Sequence, residues 1–216
     1  MCAETKEKAL SLHKISCISA KNSSKLDFMH SICIIFAKTY NQVAIRTMNI
    51  FEEKNPRKKY LLFVCLGNIC RSPAAEGIMK QMAYDNPQLR GEIIVDSAGI
   101  GAWHTGQLPD HRMREHAARR GYDLNSRARQ VKPEDFDRFD IVFGMDEENI
   151  ADLKRVARNK DDRAKIRCLA DYMTQHPEYS TVPDPYYGTG RDFELALDLI
   201  EDACREVAER LTKETI

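Results

Sequence analysis

The 216-residue chain lacks any apolar run near the ~18 to 20 residues that cross a bilayer. Its longest early candidate, residues 32–37 (Ile-Cys-Ile-Ile-Phe-Ala), is short for a signal-peptide core, and no small-x-small cleavage site follows. It has no excess charge: 33 Lys plus Arg stand against 33 Asp plus Glu. That balance gives no electrostatic reason to expect a nucleic acid or a membrane as partner. There is no CxxC pair, so neither a zinc site nor a thioredoxin-type motif is supported, and no metal is expected. There is no GxxxxGK[ST], which excludes a Walker-type nucleotide loop. The seven cysteines are odd in number and irregularly spaced, a pattern that fits a reduced compartment and a soluble cytoplasmic protein.

What is present suffices for a folded domain, since 43% of the residues are apolar. Residues 1–57 are polar, mildly basic and without sustained periodicity, and Asn55-Pro56 breaks the chain before the first strong strand. They read as a disordered extension or a misassigned start, with Met29 and Met48 as internal start sites. Residues 58–216 form the expected domain. Tyr60 to Val64 is a continuous apolar run, as a buried parallel strand requires. A helix is expected from Pro73 with Ser72 as its cap, its inner face made by Ala75, Ile78, Met79 and Met82. Further strands are expected at residues 93–95, 141–143 and 166–169, and further helices from Pro109 to near Gly121 and from about Asp146. A long final helix has Leu197, Ile200, Cys204, Val207 and Leu211 inside. Alternating strands and helices imply an α/β fold, a parallel sheet with helices on both faces, whose ligands bind beyond the carboxyl ends of the strands.

That places the segment Cys65-Leu66-Gly67-Asn68-Ile69-Cys70-Arg71-Ser72 at the end of the first strand and against a helix N-terminus. Unpaired N–H groups and a partial positive charge there suit a phosphate dianion. Gly67 lets the backbone curl towards the anion, and Arg71 offers a planar fork for two phosphate oxygens. The helix end and Arg71 favour the ionised form of Cys65, and Ser72 is placed to donate to the sulfur. A thiolate in a phosphate cradle is a nucleophile aimed at phosphorus. A lone cysteine after a strand is usually a core residue, but Cys-x5-Arg-Ser between an apolar strand and a Pro-started helix is far more restrictive. The leaving oxygen needs a proton, and Asp184, stiffened between Pro183 and Pro185, is the best source, with Tyr186 and Tyr187 as apolar walls for an aromatic substrate.

These residues resemble the low-molecular-weight protein tyrosine phosphatase family. The match rests on residues 64–73 and on Asp184-Pro185-Tyr186-Tyr187. Weaker support comes from residues 95–99, Trp103-His104, Ala128-Arg129-Gln130 and residues 145–149. The resemblance implies a four-stranded parallel sheet flanked by helices, a phosphotyrosine phosphatase I-like fold. It also implies cofactor-free hydrolysis of phosphotyrosine-containing protein substrates through a cysteinyl-phosphate. Cys65 would attack, Arg71 would bind phosphate, and Asp184 would serve as acid and then base. Asn68 would hold the loop shape, Leu66, Gly67, Ile69 and Cys70 would complete the cradle, and Ser72 would support the thiolate. Trp103 would line the cleft mouth, and Cys70 would form a protective, reversible disulfide with Cys65. One departure is Ser126, where the family often carries a His that helps orient the loop Asn. Arg127 and Arg129 read as surface charges, and Cys168 and Cys204 as buried packing residues.

Three rival readings are weaker. An arsenate reductase needs further cysteines to pass a disulfide outward, and the segment before Asp184 has no such pair. A phosphoarginine phosphatase resembling this chain would carry Thr at the position of Ile69. A phosphate-reading module would need neither Cys65 nor Asp184.

Overall fold

The computed structural model describes residues 54–55 and 58–214. The expectation for residues 1–57 therefore lies outside the described residues, except at Lys54 and Asn55. Those two lie against the domain: Lys54 Nζ donates to Asp140 Oδ1 at 2.6 Å, and the Asn55 amide donates to the Tyr60 hydroxyl at 2.8 Å.

Four parallel strands form one sheet: β1 (Lys59–Cys65), β2 (Ile93–Gly99), β3 (Ile141–Gly144) and β4 (Ile166–Cys168), in the order β2-β1-β3-β4. The helices are α1 (Arg71–Asp85), α2 (His111–Arg119), α3 (Asp135–Arg138), α4 (Glu147–Val156), α5 (Lys160–Ala164) and α6 (Gly190–Thr212). A short 3-10 turn, Leu169–Tyr172, follows β4. Strands pair in register so that Cys65 lies beside Gly99 and Val64 beside Gly144.

The period of two along β1 divides the core. Leu61, Phe63 and Cys65 face a cluster built with α1, α2 and α6, whereas Tyr60, Leu62 and Val64 face a second cluster with Phe136, Phe139 and Leu153. Burial on both faces explains why the strand reads as a continuous apolar run rather than an alternation. The inner stripe of α6 is as its spacing predicts, with Leu197, Ile200, Cys204 and Val207 fully buried. Phe63 and Phe143 stack across neighbouring strands with centroids 5.1 Å apart. Phe143→Ala should destabilise the fold by about 3–5 kcal/mol, the usual cost of an unfilled aromatic site, read as a lower urea midpoint; a midpoint unchanged from the parent protein would contradict this packing.

Two helix starts differ from the sequence expectation. α1 begins at Arg71, with Cys70 as its cap residue and no side chain bonded to its free amides. Ser72 lies inside the helix instead of capping it, because its hydroxyl is taken by Cys65, Asn68 and the Ala98 carbonyl. α2 is capped by Asp110, whose side chain accepts from the Arg112 amide, so Pro109 precedes the helix.

The connection from β1 leads to β2 on one side, and the chain then returns to place β3 on the other. Such a reversal opens a crevice at the strand ends. The segments after β1 and after β3 meet there.

Candidate active site

Cys65 is the last residue of β1, and its sulfur, 3% exposed as a residue, sits 3.1 Å from the Ser72 hydroxyl. The loop that follows is held from outside by its carbonyls. The Ile100 amide donates to Cys65 O at 2.9 Å, the Gly101 amide to Leu66 O at 2.9 Å, and the Asp110 amide to Ile69 O at 2.7 Å. The amides of residues 66–70 find no protein acceptor among the described residues. With the first turn of α1 also uncapped, these donors are left for an anion.

The left-handed turn in the loop falls on Asn68, at φ 57°, and not on Gly67. Asparagine tolerates that region because its side chain bonds locally. Here Asn68 Nδ2 donates to Ser72 Oγ at 2.9 Å and Ser97 Oγ at 2.8 Å, while its Oδ1 accepts the Arg129 amide at 2.9 Å. The Ser97 hydroxyl in turn donates a hydrogen bond to the buried carboxylate of Glu76 at 2.6 Å, and Lys80 pairs with that carboxylate. The loop asparagine is therefore fully engaged without Ser126, which takes no part in this network among the described residues. Gly99 allows the approach, since a Cβ there would lie 3.0 Å from the Asn68 amide. Arg129 is not merely a surface charge: its guanidinium pairs with Asp96 at 2.9 Å and Asp135 at 3.0 Å. Arg127 is exposed and, among the described residues, reaches the Gly106 carbonyl alone.

Arg71 is 2% exposed and is claimed by two carboxylates. Nη1 meets Asp146 Oδ2 at 2.5 Å and the Val182 carbonyl at 3.1 Å, and Nη2 meets Asp184 Oδ2 at 2.6 Å. Burial disfavours its charge, but negative charge at Cys65, Asp184 and Asp146 outweighs this and raises its pKa. Its Nε is buried without a protein partner among the described residues. An orphaned buried donor on a guanidinium costs free energy that an incoming anion can recover. Asp146 caps α4 through the Asn149 amide, so one carboxylate fixes both the helix start and the arginine.

The acid segment arrives by tertiary contacts. The Val182 amide donates to Met145 O at 2.8 Å, tying it to the end of β3, and residues 182–185 have no regular structure. Asp184 is 39% exposed along its side chain and accepts the Tyr186 amide at 3.1 Å through Oδ1. Its position beside Arg71 brings together the two segments that the sequence reading paired.

A cavity of about 330 Å³ opens above the sulfur, lined by Cys65, Leu66, Gly67, Ile69, Cys70, Trp103, His104, Asp184, Tyr186 and Tyr187. Trp103 is 70% exposed, so it rims the cleft rather than capping the core, and its ring lies over Gly101, where any side chain would collide with it. Tyr186 and Tyr187 meet edge to face at 4.9 Å. Burial first, then Asp110 and Cys65, push the Cys70 thiol well up, with Arg112 opposing. Cys204 is fully buried, as expected, but Cys168 is only half-buried at the end of β4. Three contributors escaped the sequence reading. Asp146 and Arg129 lay inside quoted segments with no role attached, and Glu76 gave no signal beyond an acidic residue on the inner side of a helix. No cluster of metal-ligating side chains occurs among the described residues.

With the geometry in hand, comparisons with known proteins are consistent. A family model described as "Low molecular weight phosphotyrosine protein phosphatase" matches residues 60–216. The low molecular weight protein-tyrosine-phosphatase YfkJ of Bacillus subtilis is 43% identical over 155 residues, covering 71% of this chain and 96% of that protein. A crystal structure of a protein tyrosine phosphatase from Entamoeba histolytica, with Hepes in the active site, superposes with a TM-score of 0.70 at 41% identity, over 74% of this chain and all of the other. A drosophila arginine phosphatase superposes with a TM-score of 0.64 at 30% identity, over 70% of this chain and 96% of that one.

Proposed function

The chain belongs to the low molecular weight phosphotyrosine protein phosphatase family, a family of hydrolases, and we propose that it cleaves phosphotyrosine in proteins through a phosphoryl group carried on Cys65. The observation that supports this most is the meeting, in one cleft, of a buried sulfur, a ring of unbonded amides, and a carboxylic acid held beside the phosphate-facing arginine.

In the first step the Cys65 thiolate attacks phosphorus and the P–O bond to the aromatic ring breaks. Asp184 in its acid form gives its proton to the departing phenolate. Negative charge spreads over the equatorial oxygens, where the amides of residues 66–70 and the Arg71 guanidinium are already in place. Entry of a phosphate dianion draws the Arg71 guanidinium towards itself and away from Asp184. In the second step the Asp184 carboxylate takes a proton from water, the oxygen attacks phosphorus, and the S–P bond breaks to return the thiolate. Ser72 supports the sulfur, and Trp103, Tyr186 and Tyr187 grip the substrate ring.

Rapid quenching during phosphotyrosine turnover should trap a phosphoryl adduct on the peptide carrying Cys65. An adduct on another residue, or turnover with none, would overturn the reading. Phosphoarginine is the rival substrate on this scaffold, but the bulky apolar Ile69 in the cleft lining favours a flat aromatic ester. Faster turnover of phosphoarginine than of phosphotyrosine would reverse that preference. Arsenate reduction is disfavoured because, among the described residues, Cys65 and Cys70 are the cysteines that line the cleft, and a relay needs another.

Both cleft cysteines also bear on oxidation. Peroxide converts the Cys65 thiolate to a sulfenic acid and releases hydroxide; the Cys70 thiol then attacks that sulfur, an S–S bond forms, and the S–O bond breaks as water leaves. Mild peroxide should therefore abolish activity, and dithiothreitol should restore it, with a Cys65–Cys70 crosslink in the peptide map. Sulfinic acid at Cys65 as the only product would defeat this assignment.

A further inference from the structure

The Arg71–Asp184 contact poses a problem for the reaction, because the arginine that holds the acid is the one that substrate phosphate engages. Once phosphate competes for that guanidinium, Asp184 needs a second support. The geometry points to Arg112 as a positioning residue that clamps the acid segment to the cysteine loop and holds Asp184 at the leaving oxygen. This inference rests on the phosphatase reading above.

Arg112 lies in the first turn of α2 and bridges both segments. Towards the cysteine loop, its Nε and Nη2 grip the Asp110 carboxylate at 3.0 and 2.9 Å. The backbone amide of the same Asp110 donates to Ile69 O at 2.7 Å. Towards the acid, Nη2 donates to the Tyr186 carbonyl at 3.0 Å, and the guanidinium lies 5.5 Å from the Tyr186 ring centre. Phe193, 1% exposed, backs the same guanidinium at 4.8 Å. Tyr186 closes the chain of contacts, since its amide donates to Asp184 Oδ1.

The chemistry needs arginine specifically. A planar fork can hold a carboxylate along one edge, reach a carbonyl from the same nitrogen and still lie flat between aromatic rings; an ammonium point charge cannot. The Asp110 carboxyl is held below its ordinary range, chiefly by its hydrogen bond to Arg112, so the pair stays charged at neutral pH. Residues 183–188 belong to no strand or helix. Among the described residues, the hydrogen bonds that reach them from outside come from Arg71 and Arg112; their own turn adds the Gly188 amide on Pro185 O, and Tyr186 packs against the core.

The test compares kcat/KM for phenyl phosphate, whose leaving group needs the proton, with that for 4-nitrophenyl phosphate, which needs it less. Arg112→Ala should lower the first by about 10- to 30-fold and the second by no more than about threefold, a misplaced acid rather than a lost site. Inhibition by inorganic phosphate should stay within about twofold, because the cradle itself is untouched. Arg112→Lys should fold, keep the charge and share the defect. Combined with Asp184→Asn, either substitution should add little further loss on phenyl phosphate, as expected when two residues act through one step. Equal losses on both esters, parent-like behaviour of Arg112→Lys, or losses that multiply in the double variant would each overturn the assignment. Should Arg112→Ala not fold, the lysine variant and its double decide the matter alone. A parent protein that turns over neither ester would instead sink the phosphatase reading.

Discussion

Cys65→Ser should lower turnover of 4-nitrophenyl phosphate by ~10^4-fold or more, as removal of an essential nucleophile does, while vanadate and inorganic phosphate still bind. The two halves of that result come from different atoms. Serine puts a hydroxyl no larger than the thiol at the end of β1, so the Ser72 and Asn68 contacts that shape the loop have no reason to move. The amides of residues 66–70 and the Arg71 guanidinium remain as anion receptors. What is lost is an easily ionised sulfur, since an alkanol gives almost no oxyanion at neutral pH without a neighbouring base. Among the described residues no hydrogen bond joins a His to Cys65; His104 lines the cleft, and its Nδ1 is engaged with Gln107 at 3.0 Å. Isothermal titration with vanadate and an activity assay on one preparation measure both halves. Substantial residual hydrolysis would remove the cysteine from the mechanism, and loss of vanadate binding would mean that the substitution had collapsed the loop.

Asp184→Asn should lower kcat/KM for phenyl phosphate by about 10²- to 10³-fold, within the usual range for general acid catalysis. The loss for 4-nitrophenyl phosphate should be markedly smaller. The substitution keeps the shape and the Tyr186 contact, because an amide oxygen can still accept that N–H. It removes the proton and the ion pair with Arg71. Phosphate affinity should hold or improve in the variant, since Arg71 is then free of one carboxylate that competes with the ligand, while Asp146 still anchors it. Equal losses for both esters would deny Asp184 the role of acid. Weaker phosphate binding would mean that the carboxylate organises Arg71 more than it competes for it.

Much of the domain was legible because its signals are local. A fully apolar run of five residues suits a buried strand between two layers, and Tyr60 to Val64 behaves so, with successive residues feeding different core clusters. The stripe at Leu197, Ile200, Cys204, Val207 and Leu211 has the helical period, and it is the buried side of α6. The cradle was legible for the same reason: Cys65 to Ser72 is eight consecutive residues whose chemistry is fixed by a strand before and a helix after. Where local rules failed, a long-range partner had taken the group in question. Ser72 looks like a cap but spends its hydroxyl on Cys65 and on a carbonyl of β2. Gly67 looks like the residue for a left-handed turn, yet Asn68 takes it, supported by Ser97 from β2 and by the Arg129 amide.

The sequence by itself determined the alternating α/β order and marked the loop from Cys65 to Ser72 that we propose holds an anion, because each depends on neighbours within about ten positions. The tertiary structure alone decided who holds Arg71. Asp146 and Asp184 lie 75 and 113 residues away and arrive only because β3 packs beside β1 and the segment after β4 folds back to the same strand ends. Charge pairing is selected by distance in space, and spacing along a chain does not encode it until the sheet has set which ends are neighbours.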